Sequence, residues 1–186
     1  VSNSDWLEVS TGLNIAFNNI QFDGVRFMAV GAQTVAFSDN AYSWTSAQTS
    51  NNQEYRDIVF ASGRYVIVGD AGSIETSTDR LAWQAQSSAT SAQLNAIAYG
   101  AGTYVAVGAG GVLLTSSDAA SWSQVSAGVS ASLNQVVWTG SQFVVVGDTS
   151  TVITSSDGVA WIIQGGMDTG NVRSIVSDGT DLLLGS

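Results

Sequence analysis

The sequence of 186 residues contains no cysteine, no histidine, no proline and no lysine. Without cysteine it has no disulfide and no thiolate chemistry. Without histidine or cysteine it cannot form a Ser-His-Asp or Cys-His catalytic group or a histidine-containing zinc site. Without lysine it has neither a Schiff base nor a Walker A phosphate loop. These absences exclude most of the widespread catalytic arrangements.

Positive charge is also scarce, because five arginines stand against fifteen acidic residues and the net charge is −10. Such a chain repels nucleic acid and anionic membranes, so we expect neither as a partner. It shows no basic-then-apolar leader and no apolar run near the ~18 residues of a membrane span. We therefore expect a soluble chain, or one already processed, without membrane insertion.

What the chain does contain is typical of short strands joined by tight turns. Hydrophobic residues make up 45% of it, and it has twenty glycines with abundant Ser, Thr, Val and Ala. Glutamate, a good helix former, occurs three times only. This composition predicts an all-β protein with a sizeable core.

A tryptophan recurs every 39 residues, at positions 44, 83, 122 and 161, behind FSDNAYSW, TSTDRLAW, TSSDAASW and TSSDGVAW. Each unit reads as two apolar strands around a glycine turn, a third strand rich in Thr and Ser, a turn with Asp or Asn, the tryptophan, and a fourth strand. The first two strands are FNNIQFDGVRFMAVG, YRDIVFASGRYVIVG, LNAIAYGAGTYVAVG, LNQVVWTGSQFVVVG and, in a fifth copy, VRSIVSDGTDLLLG. Four strands in about 40 residues predict one blade of a β-propeller.

The same spacing predicts that the N-terminus completes the last blade. Each of the four tryptophans precedes the first apolar residue of the next unit by eleven positions, and Trp6 precedes Phe17 by eleven as well. We therefore predict a single five-bladed propeller, with blades at 17–54, 55–93, 94–132, 133–171, and 172–186 joined to 1–16. Closing the ring in this way removes exposed sheet edges. The last blade lacks an obvious third strand, which is abbreviated into VSNSD, absent, supplied by another chain, or outside this sequence.

The repeated turn resembles the Asp-box of BNR-type propellers, Ser-x-Asp-x-Gly-x-Thr-Trp, which occurs in sialidases and in many propellers that are not enzymes. The resemblance covers the whole chain, although the tryptophan follows Asp79, Asp118 and Asp157 by four positions instead of five, and Asn40 replaces the aspartate in the first unit. It implies a turn on the outer rim, away from any ligand. The positions that it marks as structural are Asn40, Asp79, Asp118, Asp157, Trp6, Trp44, Trp83, Trp122 and Trp161.

The local chemistry of this turn supports a structural role. A short carboxylate or amide accepts hydrogen bonds from the backbone N–H groups that follow it. The tryptophan covers apolar surface between neighbouring blades while its indole N–H needs an acceptor. We expect neither catalysis nor metal binding at these turns.

The candidate ligand site is a ring of polar side chains at the second position of each first strand. In propellers these strands line the central channel, and the loops that join one blade to the next lie on the ligand face. The ring consists of Asn18, Arg56, Asn95, Asn134 and Arg173. Two guanidiniums flanking Asn18 could hold a carboxylate or sulfate. Alternatively, Arg56 pairs with Asp57 or Glu54, Arg173 caps strand-end carbonyls, and the asparagines satisfy backbone groups and channel waters.

Three functions remain open from the sequence. We expect a non-catalytic module of an extracellular or virion-surface assembly, of the decoration, fibre or adhesin type, that binds other protein subunits or surface glycans and needs no cofactor. The first alternative is a five-bladed lectin using the polar loops 45–54, 84–93, 123–132 and 162–171, which differ from blade to blade. The second is a glycosidase built on pairs among Glu54, Asp57, Asp70 and Asp148. Sialidase-like catalysis needs a third aligned arginine, whereas Arg26 and Arg64 fall at the opposite end of the blade.

Overall fold

A computed structural model describes residues 10–165, 170–177, 179 and 181–186. These residues form four antiparallel sheets of four strands and one of two strands, which we call blades 1 to 5 in chain order. Within each sheet the strands are neighbours in sequence order. The predicted all-β architecture of four-stranded blades is present.

The first two blades have the following strands. Blade 1 contains β1 (Phe17–Phe22), β2 (Phe27–Gly31), β3 (Thr34–Ser38) and β4 (Thr45–Gln48). Blade 2 contains β5 (Tyr55–Ala61), β6 (Arg64–Gly69), β7 (Ile74–Ser77) and β8 (Gln84–Gln86). A short 3-10 turn, Asp70–Gly72, joins β6 to β7.

Blades 3 and 4 follow the same pattern, whereas blade 5 has two strands within the described residues. Blade 3 contains β9 (Leu94–Gly100), β10 (Thr103–Gly108), β11 (Leu113–Ser116) and β12 (Ser123–Gln124), with a 3-10 turn at Ala109–Gly111. Blade 4 contains β13 (Leu133–Trp138), β14 (Phe143–Gly147), β15 (Val152–Ser155) and β16 (Ile162–Ile163). Blade 5 contains β17 (Ser174–Ser177) and β18 (Leu182–Gly185). Within the described parts of the chain, no helix has the length and hydrophobicity to cross a membrane.

The core lies between the blades. The second strands are near-continuous apolar runs because both faces are covered, as in the fully buried FVVVG of β14. One cluster joins Met28 and Val30 of blade 1 to Ile58 of blade 2. Equivalent clusters fill the interfaces between blades 2 and 3, 3 and 4, and 4 and 5. The first strands therefore pack side by side in the order β1, β5, β9, β13 and β17.

In each of the four repeated turns, the Asp or Asn side chain accepts hydrogen bonds from backbone N–H groups of the same turn. The Asp118 Oδ1 accepts hydrogen bonds from the N–H groups of Ala120 and Ser121, both at 2.8 Å. Asn40, Asp79 and Asp157 make the same pair of bonds. The tryptophan of each turn donates its indole N–H to the carbonyl of the residue after the Asp or Asn. Trp83, Trp122 and Trp161 also pack against the cluster that their blade shares with the preceding one.

The two ends of the array are exposed. Ile20 of β1 is 58% exposed, whereas its counterparts Ile58, Ile97, Val136 and Ile175 are at most 4% exposed. Leu183 of β18 is 71% exposed, whereas its counterparts Met28, Val66, Val105 and Val144 are at most 2% exposed. Trp6, which we predict to close the ring, lies outside the described residues, so closure and the count of five complete blades stay predictions.

Candidate functional site

The five polar residues predicted to line a channel border one cavity of about 500 Å³. Each lies at the second position of a first strand or directly before it, so the side-by-side packing of these strands brings them together. The described lining residues come from all five blades and are Asn18, Asn19, Arg56, Asp57, Gln93, Asn95, Ala96, Ala109, Ser132, Asn134, Gln135, Asp148 and Arg173. The repeated Asp and Asn turns contribute none of them.

The three asparagines of the ring tie neighbouring blades together. Asn18 Nδ2 donates to the Tyr55 carbonyl at 2.8 Å. Asn95 and Asn134 donate in the same way to the carbonyls of Leu133 at 2.8 Å and Val172 at 2.9 Å. In each case the acceptor is the first residue of the next blade's repeat. The asparagines therefore satisfy backbone carbonyl groups, as one of the two interpretations predicts, and Asn95 Oδ1 in turn accepts a hydrogen bond from Gln93 Nε2 at 2.5 Å.

Arg56 interrupts this pattern and makes an ion pair within its own blade. Its Nε lies 2.7 Å from Asp70 Oδ1, and both side chains are about one-third exposed. The alternative pairing of Arg56 with Asp57 or Glu54 was wrong, because Asp70, at the start of the turn after β6, takes that place. Glu54 instead accepts a hydrogen bond from Asn18 Nδ2 at 2.9 Å. A single Nε contact leaves the guanidinium able to reach a second acceptor in the cavity.

Arg173 carries the second positive charge of the cavity. It is exposed and comes just before β17, where its backbone N–H donates to the Gly185 carbonyl. On the neighbouring blade 4, Asp148 accepts a hydrogen bond from Asn134 Nδ2 at 2.9 Å. The cavity therefore offers two guanidiniums, several primary amides and a few carboxylates, a set suited to binding a polar group by hydrogen bonds.

Asp57 connects neighbouring blades, a role that the sequence did not predict. From the sequence, Asp57 was only a possible ion-pair partner of Arg56 or a possible catalytic carboxylate. It is 3% exposed. Its Oδ1 accepts hydrogen bonds from Asn19 Nδ2, Gln21 Nε2 and the Ile58 N–H, each at 2.8 Å, and its Oδ2 accepts one from the Ile97 N–H at 2.9 Å. One carboxylate thus joins blades 1, 2 and 3. Burial raises its pKa to about 7, and the N–H donors oppose that rise.

Gln135, the counterpart of Asp57 in blade 4, connects two blades through its side-chain amide oxygen. Gln135 Oε1 accepts a hydrogen bond from the Ile175 N–H of blade 5 at 3.0 Å. A signal for this role exists in the sequence, since the position directly after the ring residue is polar in four of the five units, as Asn19, Asp57, Gln135 and Ser174.

Glu75 is a second buried carboxylate, and its role was not anticipated. It replaces a small or apolar residue at the second position of a third strand and is fully buried. The N–H groups of Ser50 and Asn51 donate to it at 2.9 and 2.8 Å, and the Tyr55 hydroxyl donates to it as well. It therefore fixes the loop between blades 1 and 2 on the cavity side. Burial and the nearby Glu75 raise the pKa of Tyr55.

The carboxylates that could serve a glycosidase are held by neighbours. Glu54, Asp57, Asp70 and Asp148 each accept a hydrogen bond from another side chain. Among the described residues, no three acidic side chains gather closely enough to hold a metal ion.

Comparison with known proteins supports the fold. No family model matches the sequence, and no curated protein matches it. Three similar solved structures are YCF48 bound to D1 peptide (TM-score 0.68, 16% identity, covering 91% of this chain), YCF48 from Cyanidioschyzon merolae (0.69, 12%, 96%) and the WD40 β-propeller domain of Doa1 (0.68, 10%, 92%). This chain spans 58%, 66% and 62% of their respective lengths. The all-β, four-stranded-blade architecture is therefore that of a β-propeller.

Proposed function

We propose that this chain is a non-catalytic propeller module that binds a segment of another protein at its central cavity. The observation that carries the proposal is a polar cavity lined by described residues of all five blades, in which Arg56 and Arg173 supply positive charge among amide side chains. A structurally similar propeller, YCF48, has been solved bound to a peptide. An acidic side chain or a C-terminal carboxylate is the group that the two guanidiniums fit best.

We further propose that the ring is closed and that its repeats are of the Asp-box type. Two observations support closure: Ile20 and Leu183 expose apolar surface at opposite ends of the array, and every counterpart of either residue is covered by a neighbouring blade. Contact between the first and last blades would cover both. The Asp-box assignment is supported by the repeated pair of backbone hydrogen bonds to Asn40, Asp79, Asp118 and Asp157. An extracellular or virion-surface setting stays a prediction from composition.

Peptide selection tests the cavity proposal. A random peptide library is selected on the wild-type protein, and the recovered peptides are measured by isothermal titration against Arg56→Ala, Arg173→Ala and the control Arg64→Ala. Arg64 lies in β6 beside the Asp79 turn and outside the cavity. We expect peptides with a carboxylate in common that bind at least tenfold more weakly to either cavity variant and unchanged to the control. Peptides indifferent to both cavity variants would contradict the proposal.

No specific observation favours either alternative function, the lectin or the glycosidase. The residues that line the cavity differ from blade to blade, with Gln93, Ser132 and Asp148 at its loops, so five equivalent lectin sites have no structural support. The four carboxylates considered for glycoside hydrolysis are engaged as described above.

A further inference from the structure

Asp70 and Asp148 occupy the same position of the repeat, directly after the glycine that ends the second strand. In both blades the ring residue of the same blade donates to this carboxylate. Arg56 Nε lies 2.7 Å from Asp70 Oδ1, and Asn134 Nδ2 lies 2.9 Å from Asp148 Oδ1. The arrangement is the same, but Asp70 faces a guanidinium and Asp148 faces a neutral amide. Blade 4 therefore leaves the negative charge of Asp148 without a cation.

No other basic side chain of this protein neutralises Asp148. Arginine is the only basic residue type in the sequence, and all five arginines lie within the described residues. The ion pairs that they form there are with Asp23, Asp39 and Asp70. Asp148 Oδ1 accepts the bond from the amide of blade 4, and Oδ2 accepts none within the described part of the chain.

The acceptors beside the cavity are suited to a positive group. Asp57, the other carboxylate among the described lining residues, is buried, and four N–H donors occupy its two oxygens. Asp148 is half-buried and has room for a donor. Asn134 donates through Nδ2 to Asp148 and to the Val172 carbonyl, so its amide oxygen is left as a second acceptor. Carboxylate and amide oxygens bind ammonium and guanidinium groups through charge-assisted hydrogen bonds.

A site for a negative group lies on the neighbouring blade. Arg173 directly follows Val172, whose carbonyl accepts the second hydrogen bond from Asn134 Nδ2. Arg173 is exposed and forms no ion pair with Asp148 or with any other described residue. The cavity of about 500 Å³ therefore contains one position for a negative group and one for a positive group.

We propose that the segment bound in the cavity carries a lysine or arginine in addition to its carboxylate, and that this basic side chain pairs with Asp148. The inference rests on the function proposed above and specifies its ligand. The Arg56–Asp70 pair of blade 2 shows the arrangement that the ligand completes in blade 4 by supplying the cation. A purely acidic segment, which the two cavity arginines alone would favour, is repelled by Asp148.

Selection on two proteins tests this inference. The random peptide library is selected on the wild type and on Asp148→Asn at about 0.15 M ionic strength, where charges further apart than about 8 Å are largely screened. The substitution keeps an acceptor for Asn134 and removes the charge. We expect peptides from the wild type to share a basic residue at a fixed spacing from their carboxylate. Peptides from Asp148→Asn should keep the carboxylate without the basic residue.

A double-mutant cycle measures the pair. The tightest peptide from the wild-type selection, with its basic residue or with glutamine in its place, is titrated calorimetrically into the wild type, Asp148→Asn and the control Asp157→Asn. The control removes the same charge from a turn of blade 4 outside the cavity, and Asn40 shows that an amide makes the bonds of that turn. Glutamine should weaken binding at least fivefold to the wild type and the control, and less than twofold to Asp148→Asn.

The outcomes separate this inference from the cavity site itself. Peptides that depend on Arg56 or Arg173 but share no basic residue would refute the pairing with Asp148 and leave the cavity site standing. The same holds if glutamine weakens binding to Asp148→Asn as much as to the wild type. Peptides that are indifferent to both arginine variants would refute the cavity site and this inference together.

Discussion

At the scale of single residues, the repeat uses one short side chain in each turn to organise the backbone. Asp118 receives two backbone N–H groups, and these donors hold the pKa of its carboxyl down to about 2. Asn40 accepts the same two bonds without a charge. The turn therefore needs an acceptor oxygen at this position, and the charge adds a dependence on pH.

Asp118→Asn should retain the turn, whereas Asp118→Ala should lower the melting temperature at neutral pH because two N–H groups lose their acceptor. The folded-state pKa of Asp118 lies below its unfolded value, so its contribution is complete above about pH 4 and is lost as the pH falls toward 2. Thermal denaturation from pH 2 to 7 checks both statements. The melting-temperature difference between wild type and Asp118→Asn should change over this acidic range, and a constant difference would contradict the assignment.

Asp57 has the opposite pH dependence. Its folded-state pKa is raised from 3.8 to about 7, so the folded protein retains a proton that the unfolded chain releases. The stabilisation is complete below about pH 4 and is lost as the pH rises to about 7. The difference between the two pKa values corresponds to roughly 4 kcal/mol.

Denaturant unfolding from pH 4 to 8 measures this effect. The free energy of unfolding of the wild type should fall across that range, and Asp57→Asn should remove most of the slope because an amide does not titrate. The same slope in Asp57→Asn would show that another group is responsible.

At the scale of the elements, the turn between β6 and β7 of blade 2 packs against the loop that joins blade 2 to blade 3 and borders the cavity. Gly72 has φ +70, and a Cβ there would lie 2.0 Å from the Thr90 carbonyl oxygen of the loop between blades 2 and 3. Gly63 has a similar φ of +72 with open space around it. Substitutions at these two glycines therefore separate the energetic cost of a left-handed backbone from the cost of steric crowding.

Gly63→Ala should cost about 1 kcal/mol of unfolding free energy through its left-handed backbone alone. Gly72→Ala should cost about 1–3 kcal/mol more, because the loop must move away from the new methyl group. Urea unfolding of both variants measures the difference. Equal losses would mean that the loop accommodates the methyl group freely.

The order of the strands within a blade was predictable because the repeat presents each element four or five times. The packed second strands and the hydrogen-bonded turns follow directly from the patterns of Val, Gly and Asp. The partners of long polar side chains were less predictable. Arg56 pairs with Asp70, fourteen positions away, because the β5–β6 hairpin reverses the chain between them and Asp70 begins the turn after β6. Glu75 is a charged residue in an otherwise apolar strand, and the sequence does not show that N–H groups of a distant loop donate to it.

At the scale of the whole molecule, the proposed binding site depends on how the first and last blades meet. The first strands turn progressively around one cavity, and both ends of the array present uncovered apolar side chains. A closed ring makes the cavity a bounded site with Arg56 and Arg173 on either side of Asn18. An open array would leave Arg173 at a free edge, far from the binding geometry that we propose.

Distance measurement between spin labels tests closure most directly, and the absence of native cysteine makes labelling specific. Labels at Val25→Cys and Asp181→Cys report on the turns of blades 1 and 5. The pair Ser62→Cys and Ala101→Cys calibrates adjacent blades, and the pair Ser62→Cys and Ser141→Cys calibrates blades separated by one other. In protein diluted with unlabelled chains, we predict that the Val25 to Asp181 distance matches that of the adjacent pair. A distance equal to or longer than that of the separated pair would contradict the closed ring and the cavity site that depends on it.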